Sequence, residues 1–300
     1  MIYVVLGASG NTGHIVANTL LAEGKKVRVF GRNATHLQPF AAQGAEVSTG
    51  DVSDASAVMK AFQRADSAYV MIPPNPTSND YRGYQNRASD AITTAVKKSG
   101  IKNVVALSSF GADKSSGTGP VVGLYELEQK LSQINNLNVL FLRPGYFKEN
   151  TLPQAGVIRA TGSAIGPVRP DLKLPMIATR DIGTVAAEEL LQLSFHGKQT
   201  RELHGQRDLD YTEIAGIIGK AIGKPDLKYI QAPHDQLRSA MVQMGMSENF
   251  VKLVLEMADA LNSGHMQSIE PRDARSTTPT SFETFVAESF VPAYQHQQAA

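Results

Sequence analysis

Residues 4 to 13 read Val-Val-Leu-Gly-Ala-Ser-Gly-Asn-Thr-Gly. An apolar run (Ile2, Val4, Val5, Leu6) meets three glycines, Gly7, Gly10 and Gly13. A helical apolar pattern follows at Ile15, Val16, Leu20 and Leu21. Strand, glycine turn and helix in this order form the opening of a βαβ unit that holds a dinucleotide pyrophosphate. Gly7 permits the tight turn, Gly10 removes a Cβ from the path of the phosphates, and Gly13 lets the helix pack closely on the strand. Free N–H groups and the positive dipole end of that helix then face the phosphates. The spacing is GxxGxxG rather than GxGxxG, so the flanking strand and helix carry as much of the inference as the glycines do.

A second strand bears on which nucleotide fits. Lys26 to Phe30 alternate, and Gly31-Arg32-Asn33 follow. A carboxylate at this strand end accepts from a ribose 2′-OH, whereas an arginine pairs with a 2′-phosphate. Arg32 therefore favours NADPH (NADP) over NADH, although a solvated arginine at a strand end is the plain alternative. Gly50-Asp51-Val52 follow a third strand. Asp51 is placed either to reach the adenine amino group or, with Ser53, to cap the helical stretch Ser56 to Phe62.

Strand patterns at 2–6, 26–30, 45–48, 67–72, 103–107 and 138–142 alternate with helical ones, including Tyr84 to Lys98 and Tyr125 to Gln133. That alternation predicts an α/β, Rossmann-type doubly wound parallel sheet with the nucleotide across the strands' carboxyl ends. After residue 150 the pattern loosens. We expect a dinucleotide-binding domain over 1–150 and a smaller α+β substrate region over 151–300, interleaved with the sheet. Asp181 is a candidate N-cap for a helix at 183–193. A strand at 201–204 and helices at 211–222, 234–244 and 247–262 follow. Met241, Met244, Met246, Met257 and Met266 cluster around the last two helices, as core filler or as an adaptable pocket or lid. The tail from Tyr294 is expected to fray.

Composition excludes several classes. There is no cysteine among 300 residues, so disulfides and thiolate chemistry are absent. A net charge of +1 without basic runs argues against nucleic acid as a partner. The histidines His14, His36, His196, His204, His234, His265 and His296 show no metal-ligand spacing. Neither a leader pattern nor a membrane-spanning run is evident, which suggests a cytoplasmic protein. Ser108-Ser109 lack the Gly-x-Ser-x-Gly elbow of a serine hydrolase and suit the floor of a cleft. Pro73-Pro74-Asn75-Pro76 form a stiff loop suited to be a wall of it.

Several segments together resemble the NmrA-like family of atypical short-chain dehydrogenases/reductases, with its quinone-reductase-like and triphenylmethane-reductase-like members. They are Gly7 to Gly13, Gly50-Asp51, Leu107-Ser108-Ser109, Leu142-Arg-Pro-Gly-Tyr-Phe-Lys-Glu-Asn150, Arg201-Glu-Leu-His-Gly205, Asp210-Tyr-Thr-Glu-Ile214 and Ile222-Gly-Lys-Pro225. The resemblance implies cofactor contacts from Ser9, Asn11, Thr12, Arg32, Asp51, Val52, Met71, Ile72 and Pro73. It places Pro144-Gly145-Tyr146-Phe147 near the nicotinamide and Asn150 toward the substrate. Pro74, Tyr146, Phe147 and Asn150 would then form the substrate pocket.

The catalytic centre departs from the wider superfamily, which uses Tyr-x-x-x-Lys to pass a proton to a carbonyl oxygen. Here the stretch is Tyr125-Glu-Leu-Glu-Gln-Lys130. Five residues turn a helix about 500°, so Tyr125 and Lys130 point roughly 140° apart. Tyr125 is thus a weak candidate acid, and Glu126 and Lys130 read as an i,i+4 surface pair. Hydride transfer to an electron-poor conjugated acceptor such as a quinone, azo compound or cationic dye needs position and dryness more than that dyad. The sequence therefore favours an NADPH-dependent oxidoreductase of small aromatic or conjugated substrates. A non-catalytic NADP(H) sensor that controls a partner is the alternative. A homodimer is common among such folds.

Overall fold

A computed structural model describes residues 1–296 of the chain. Six strands alternate with helices through the first half: β1 Ile2–Leu6, β2 Lys26–Gly31, β3 Glu46–Thr49, β4 Ser67–Val70, β5 Asn103–Leu107 and β6 Asn138–Pro144. Between them run α1 Asn11–Ala22, α2 Gln38–Ala41, α3 Ala55–Phe62, α4 Tyr81–Ser99 and α5 Val122–Ser132. The second half adds β7 Tyr146–Phe147, α6 Gln154–Thr161, β8 Ala164–Gly166, β9 Leu174–Ile177, α7 Thr179–Gln192, β10 Lys198–Leu203, β11 Asp208–Leu209, α8 Tyr211–Ala221 and β12 Tyr229–Gln231. The remaining helices are α9 His234–Gln243, α10 Glu248–Asn262, α11 Phe282–Phe285 and α12 Val291–His296.

The main sheet has seven strands in the order β3-β2-β1-β4-β5-β6-β10, all parallel. Residues such as Val4, Val5, Val104 and Val105 are wholly buried because helices cover both faces. Val4, Val104 and Val139 face the core made with α3, α4 and α5. Tyr3, Val5 and Leu140 face the core made with α1 and α7. Strand order reverses between β1 and β4, which opens a crevice at their carboxyl ends.

The short strand foreseen at 201–204 is longer, β10, and pairs with Val139 to Pro144 of β6 as the sheet's outer strand. Its helix α7 packs on α1 so closely that a Cβ on Gly183 would lie 2.8 Å from the Thr12 carbonyl. The rest of the second half builds a separate core around Ile158, Met176, Ile214, Leu261, Phe285 and Phe290. Short strands run through it: β7-β9-β11 form one ribbon and β8-β12 another.

Several local expectations need correction. Asp54, not Asp51 or Ser53, caps α3, its carboxylate accepting from Ser56 and Ala57 N–H at 2.8 and 3.2 Å. Asp51 instead closes its own turn, taking the Ser53 N–H and hydroxyl. Asp181 is not an N-cap. The helix starts earlier, at Thr179, because Ala178 already has extended backbone. Asp181 is buried in its first turn and accepts from the Thr280 N–H and hydroxyl at 3.1 and 2.6 Å. Glu126 and Lys130 do not pair. Each reaches across to α4, Glu126 to Arg82 at 2.6 Å and Lys130 to Asp90 at 2.7 Å. An interhelical partner presented in the right place outcompetes the neighbour one turn away. At Tyr294, where fraying is expected to begin, α12 continues to His296, Tyr294 is 6% exposed, and its carbonyl accepts from Arg159. The rest of the predicted tail, 297–300, lies outside the described residues. No helix among the described residues is long and apolar enough to cross a membrane.

Candidate active site

Gly7 ends β1 in the left-handed region (φ +66°), turning the chain toward α1. Its carbonyl accepts from the Gly10 N–H at 2.8 Å. Gly13 packs on this turn: a Cβ there would lie 2.3 Å from the Gly7 carbonyl oxygen. Gly10 then begins α1 with no side-chain cap, and no acidic residue occupies the first turn. The helix therefore presents open N–H groups and its positive end to the crevice.

That crevice is a cleft of about 520 Å³. Asn11 and Thr12 line it from α1, and Gly7, Ser9 and Gly10 line it from the turn. Arg32 and Val52 come from the ends of β2 and of the segment after β3, and Met71, Pro73 and Pro74 from the end of β4. Phe147 and Asn150 close its far side. Arg32 makes no hydrogen bond or ion pair to any described residue, so its guanidinium is available to an anion. Gly13 and Asp51 do not line the cleft; the first acts through packing and the second through its turn. The Tyr84 hydroxyl donates to the Pro73 carbonyl at 3.0 Å and pins the proline wall. Burial pushes that phenol well up.

A second, smaller cavity of about 240 Å³ adjoins the cleft and shares Met71, Pro74, Leu107, Phe147 and Asn150 with it. Ile72 and Tyr146 line this cavity and not the cleft. Ser108 and Ser109 line it too, with Met257 from α10 and Met266 just beyond. Two of the five clustered methionines therefore do line a pocket, while Met244 is 62% exposed to solvent. Tyr125 lines neither cavity.

Three polar features of the site were not anticipated. Glu149 lines the cleft; one carboxylate oxygen accepts from the Thr179 N–H and hydroxyl at 2.9 and 2.6 Å, and the other is buried without a hydrogen bond. The sequence pointed to Asn150 next door, and nothing in its spacing distinguished Glu149. Ser108 donates to Glu128 at 2.5 Å, and Glu128 forms a bidentate pair with Arg143 at 2.9 and 2.6 Å, all three being buried. Tyr211, from α8, stacks on Tyr229 at 4.4 Å between ring centroids, and its side chain favours the anion of Tyr146.

Lys148 lies between Phe147 and Glu149 but is buried away from the cleft, with its ammonium donating to the Thr280 carbonyl. Burial brings its pKa down to about 8, against the opposing fields of Asp181, Glu149 and Glu283 and with a contribution from Arg180. The unfolded chain, with the ordinary value of 10.5, binds more protons between pH 8 and 10.5. The cost of burying the ammonium is thus present below pH 8 and is relieved as pH rises through that window. We expect the urea midpoint of the wild type to rise from pH 8 to 10.5 relative to that of Lys148→Met. Parallel pH dependences for the two proteins would refute this assignment.

An uncapped helix start at a sheet's switch point, with an unpaired arginine at the next strand, is a cradle that fits a phosphorylated dinucleotide. The fold and site define a Rossmann-type α/β protein with a second cavity beside its nucleotide crevice. The chain belongs to the NmrA-like family, whose model matches residues 2–286. Among curated proteins it is 27% identical over 270 residues to the NAD(P)H azoreductase of Xenophilus azovorans, covering 90% of this chain and 87% of that one. Among solved structures it resembles the NADPH-dependent quinone oxidoreductase of Escherichia coli (TM-score 0.77, 22% identity, 97% of this chain and 100% of that one). It also resembles the triphenylmethane reductase of Citrobacter sp. (TM-score 0.76, 20% identity, 95% of this chain and 98% of that one).

Proposed function

We propose that this chain is an NAD(P)H-dependent oxidoreductase, preferring NADPH, that passes hydride to a flat conjugated acceptor such as a quinone. The observation that carries the reading is the junction of the two cavities. The cleft and the apolar, methionine-lined cavity meet at Phe147 and Asn150, so a ring in one lies beside a ring in the other. Bound reduced nicotinamide supplies the hydride. The chain's own residues hold the two rings together and exclude water. α1 and Ser9 to Thr12 take the pyrophosphate, and Arg32 takes the 2′-phosphate. Phe147, Met71 and Leu107 keep the junction dry, while Met257 and Met266 adapt to acceptors of differing outline. The activities of the azoreductase and of the quinone and triphenylmethane reductases support this choice of acceptor. The missing Tyr-x-x-x-Lys is compatible with it, because these acceptors are reactive enough to take hydride without that dyad.

NADPH oxidation followed at 340 nm against quinones, azo dyes and triarylmethane dyes tests the reading, with NADH in parallel. Saturable turnover preferring NADPH is expected. Tight NADP(H) binding without turnover on any of them would favour the sensor reading instead. Losing the Arg32 charge-assisted contact is worth on the order of 2 kcal/mol. Arg32→Ala should therefore weaken NADPH about 30-fold by calorimetry and NADH by less than about threefold. Equal losses for both nucleotides would remove Arg32 from the 2′-phosphate.

A further inference from the structure

Quinones and azo groups need a proton as well as a hydride, and Tyr125 is not at either cavity to give one. The second cavity holds few groups that can. The Ser108 hydroxyl proton is committed to Glu128 at 2.5 Å. Ser109 spends its proton on the Phe110 carbonyl at 2.9 Å. Asn150 is an amide, which does not act as an acid in water. Tyr146 remains, half-buried in the cavity wall on β7, one residue before the Phe147 shared with the cleft.

We propose that Tyr146 is the proton donor to the reduced acceptor, resting on the oxidoreductase reading above. Its surroundings suit the task. The side chains of Tyr211 and Asn150 act on the Tyr146 phenol in the sense that favours its anion, against the larger opposing effect of burial. Tyr211 is held in place by stacking on Tyr229, whose hydroxyl donates to the Val168 carbonyl at 2.9 Å. β7 is held by pairing of Tyr146 with Met176 on β9. Burial raises the Tyr146 phenol above its ordinary value. A hydroquinone anion formed in the same apolar cavity is a phenolate raised by the same burial. The proton therefore passes between two phenolic oxygens that the same surroundings bias in the same direction.

The step balances as follows. A quinone takes the hydride and becomes the hydroquinone monoanion. The Tyr146 O–H bond breaks as an O–H bond forms on that anion, giving neutral hydroquinone. The Tyr146 phenolate regains a proton from solvent through the cleft. An azo group behaves alike, with the new bond at nitrogen. A cationic triarylmethane dye differs: hydride on its central carbon gives the neutral leuco form, with no proton required.

That difference is the test. Tyr146→Phe keeps the aromatic wall and removes only the hydroxyl. With NADPH saturating, kcat is measured for menadione and for malachite green in wild type and variant. A general acid contributes at least about 100-fold. The menadione-to-malachite-green ratio should therefore fall about 100-fold in Tyr146→Phe. Equal loss on both acceptors would reduce Tyr146 to a positioning wall, and an unchanged ratio with unchanged rates would remove it from the reaction; either overturns the proposal. NADPH fluorescence titration of the variant separates these results from a damaged cofactor site. Absence of turnover on both acceptors in the wild type, with NADPH bound, overturns the oxidoreductase reading itself and the proton-donor role with it.

Discussion

Glu128→Ala is expected to lower the stability of the fold by about 4 kcal/mol, because it strands the buried Arg143 guanidinium. Glu128 on α5 reaches the end of β6 and satisfies Arg143 through both carboxylate oxygens. Removing it leaves Arg143 with one acceptor among the described residues, the Ala112 carbonyl at 3.3 Å. Chemical denaturation should show a lower midpoint with an unchanged slope. Replacing both partners together, as Glu128→Leu with Arg143→Met, should recover much of the loss, since a buried pair is costly to break but not costly to replace by apolar groups of similar size. A loss below about 1 kcal/mol in the single variant is the magnitude of a solvated pair and would contradict the burial seen here. The single variant also frees the hydroxyl of Ser108, which lines the second cavity.

Gly13→Ala should cost about 3 kcal/mol and lower the melting temperature by roughly 6 °C. The added Cβ would meet the Gly7 carbonyl oxygen at 2.3 Å and its carbon at 2.7 Å, both backbone atoms that cannot rotate aside. Relief requires α1 to shift from β1, which moves the open N–H groups, so NADPH affinity should fall more than about tenfold as well. Gly10→Ala is the informative control. Its Cβ would meet only the Gly7 carbonyl, at 3.2 Å. It should fold nearly normally while binding the dinucleotide less well, because its methyl intrudes on the phosphate path. Similar melting temperatures for the two variants would show that the glycines do not divide their roles in this way.

Much of the sheet was legible because buried parallel strands read as apolar runs whatever surrounds them. Val4-Val5-Leu6, Val104-Val105 and Val139-Leu140 declare themselves this way, as does the glycine turn. The cleft residues near the first three strand ends were legible for the same reason: each follows a recognisable strand. Local capping was not, because Asp51, Ser53 and Asp54 all precede α3 and only backbone geometry selects Asp54. The Glu126–Lys130 pairing failed since α4, eighty residues into the chain, supplies Arg82 and Asp90 at the right distance. Tyr211 was hidden more deeply, and of the five clustered methionines nothing local singled out Met257 and Met266 as the two that line the second cavity. They join the site, or support it, through tertiary packing of elements far from the glycine turn. Periodicity describes a helix's face but not which cavity that face meets. Glu149 illustrates the limit at shortest range: its partner, Thr179, lies thirty residues on, and no local pattern links them.

The position of β10 carries a consequence for how the chain is made. Its partner β6 is complete by residue 144, yet β10 emerges only after residue 198, with three strands' worth of other structure between them. During synthesis the apolar β6 therefore waits as an open edge, and its backbone groups offer a template to any extended segment nearby. Intermediates in this interval, rather than the finished fold, are where the chain is most exposed to self-association. Substitutions that leave the final structure untouched but delay α7 or β10 would lower the yield of folded protein without altering what it does once formed.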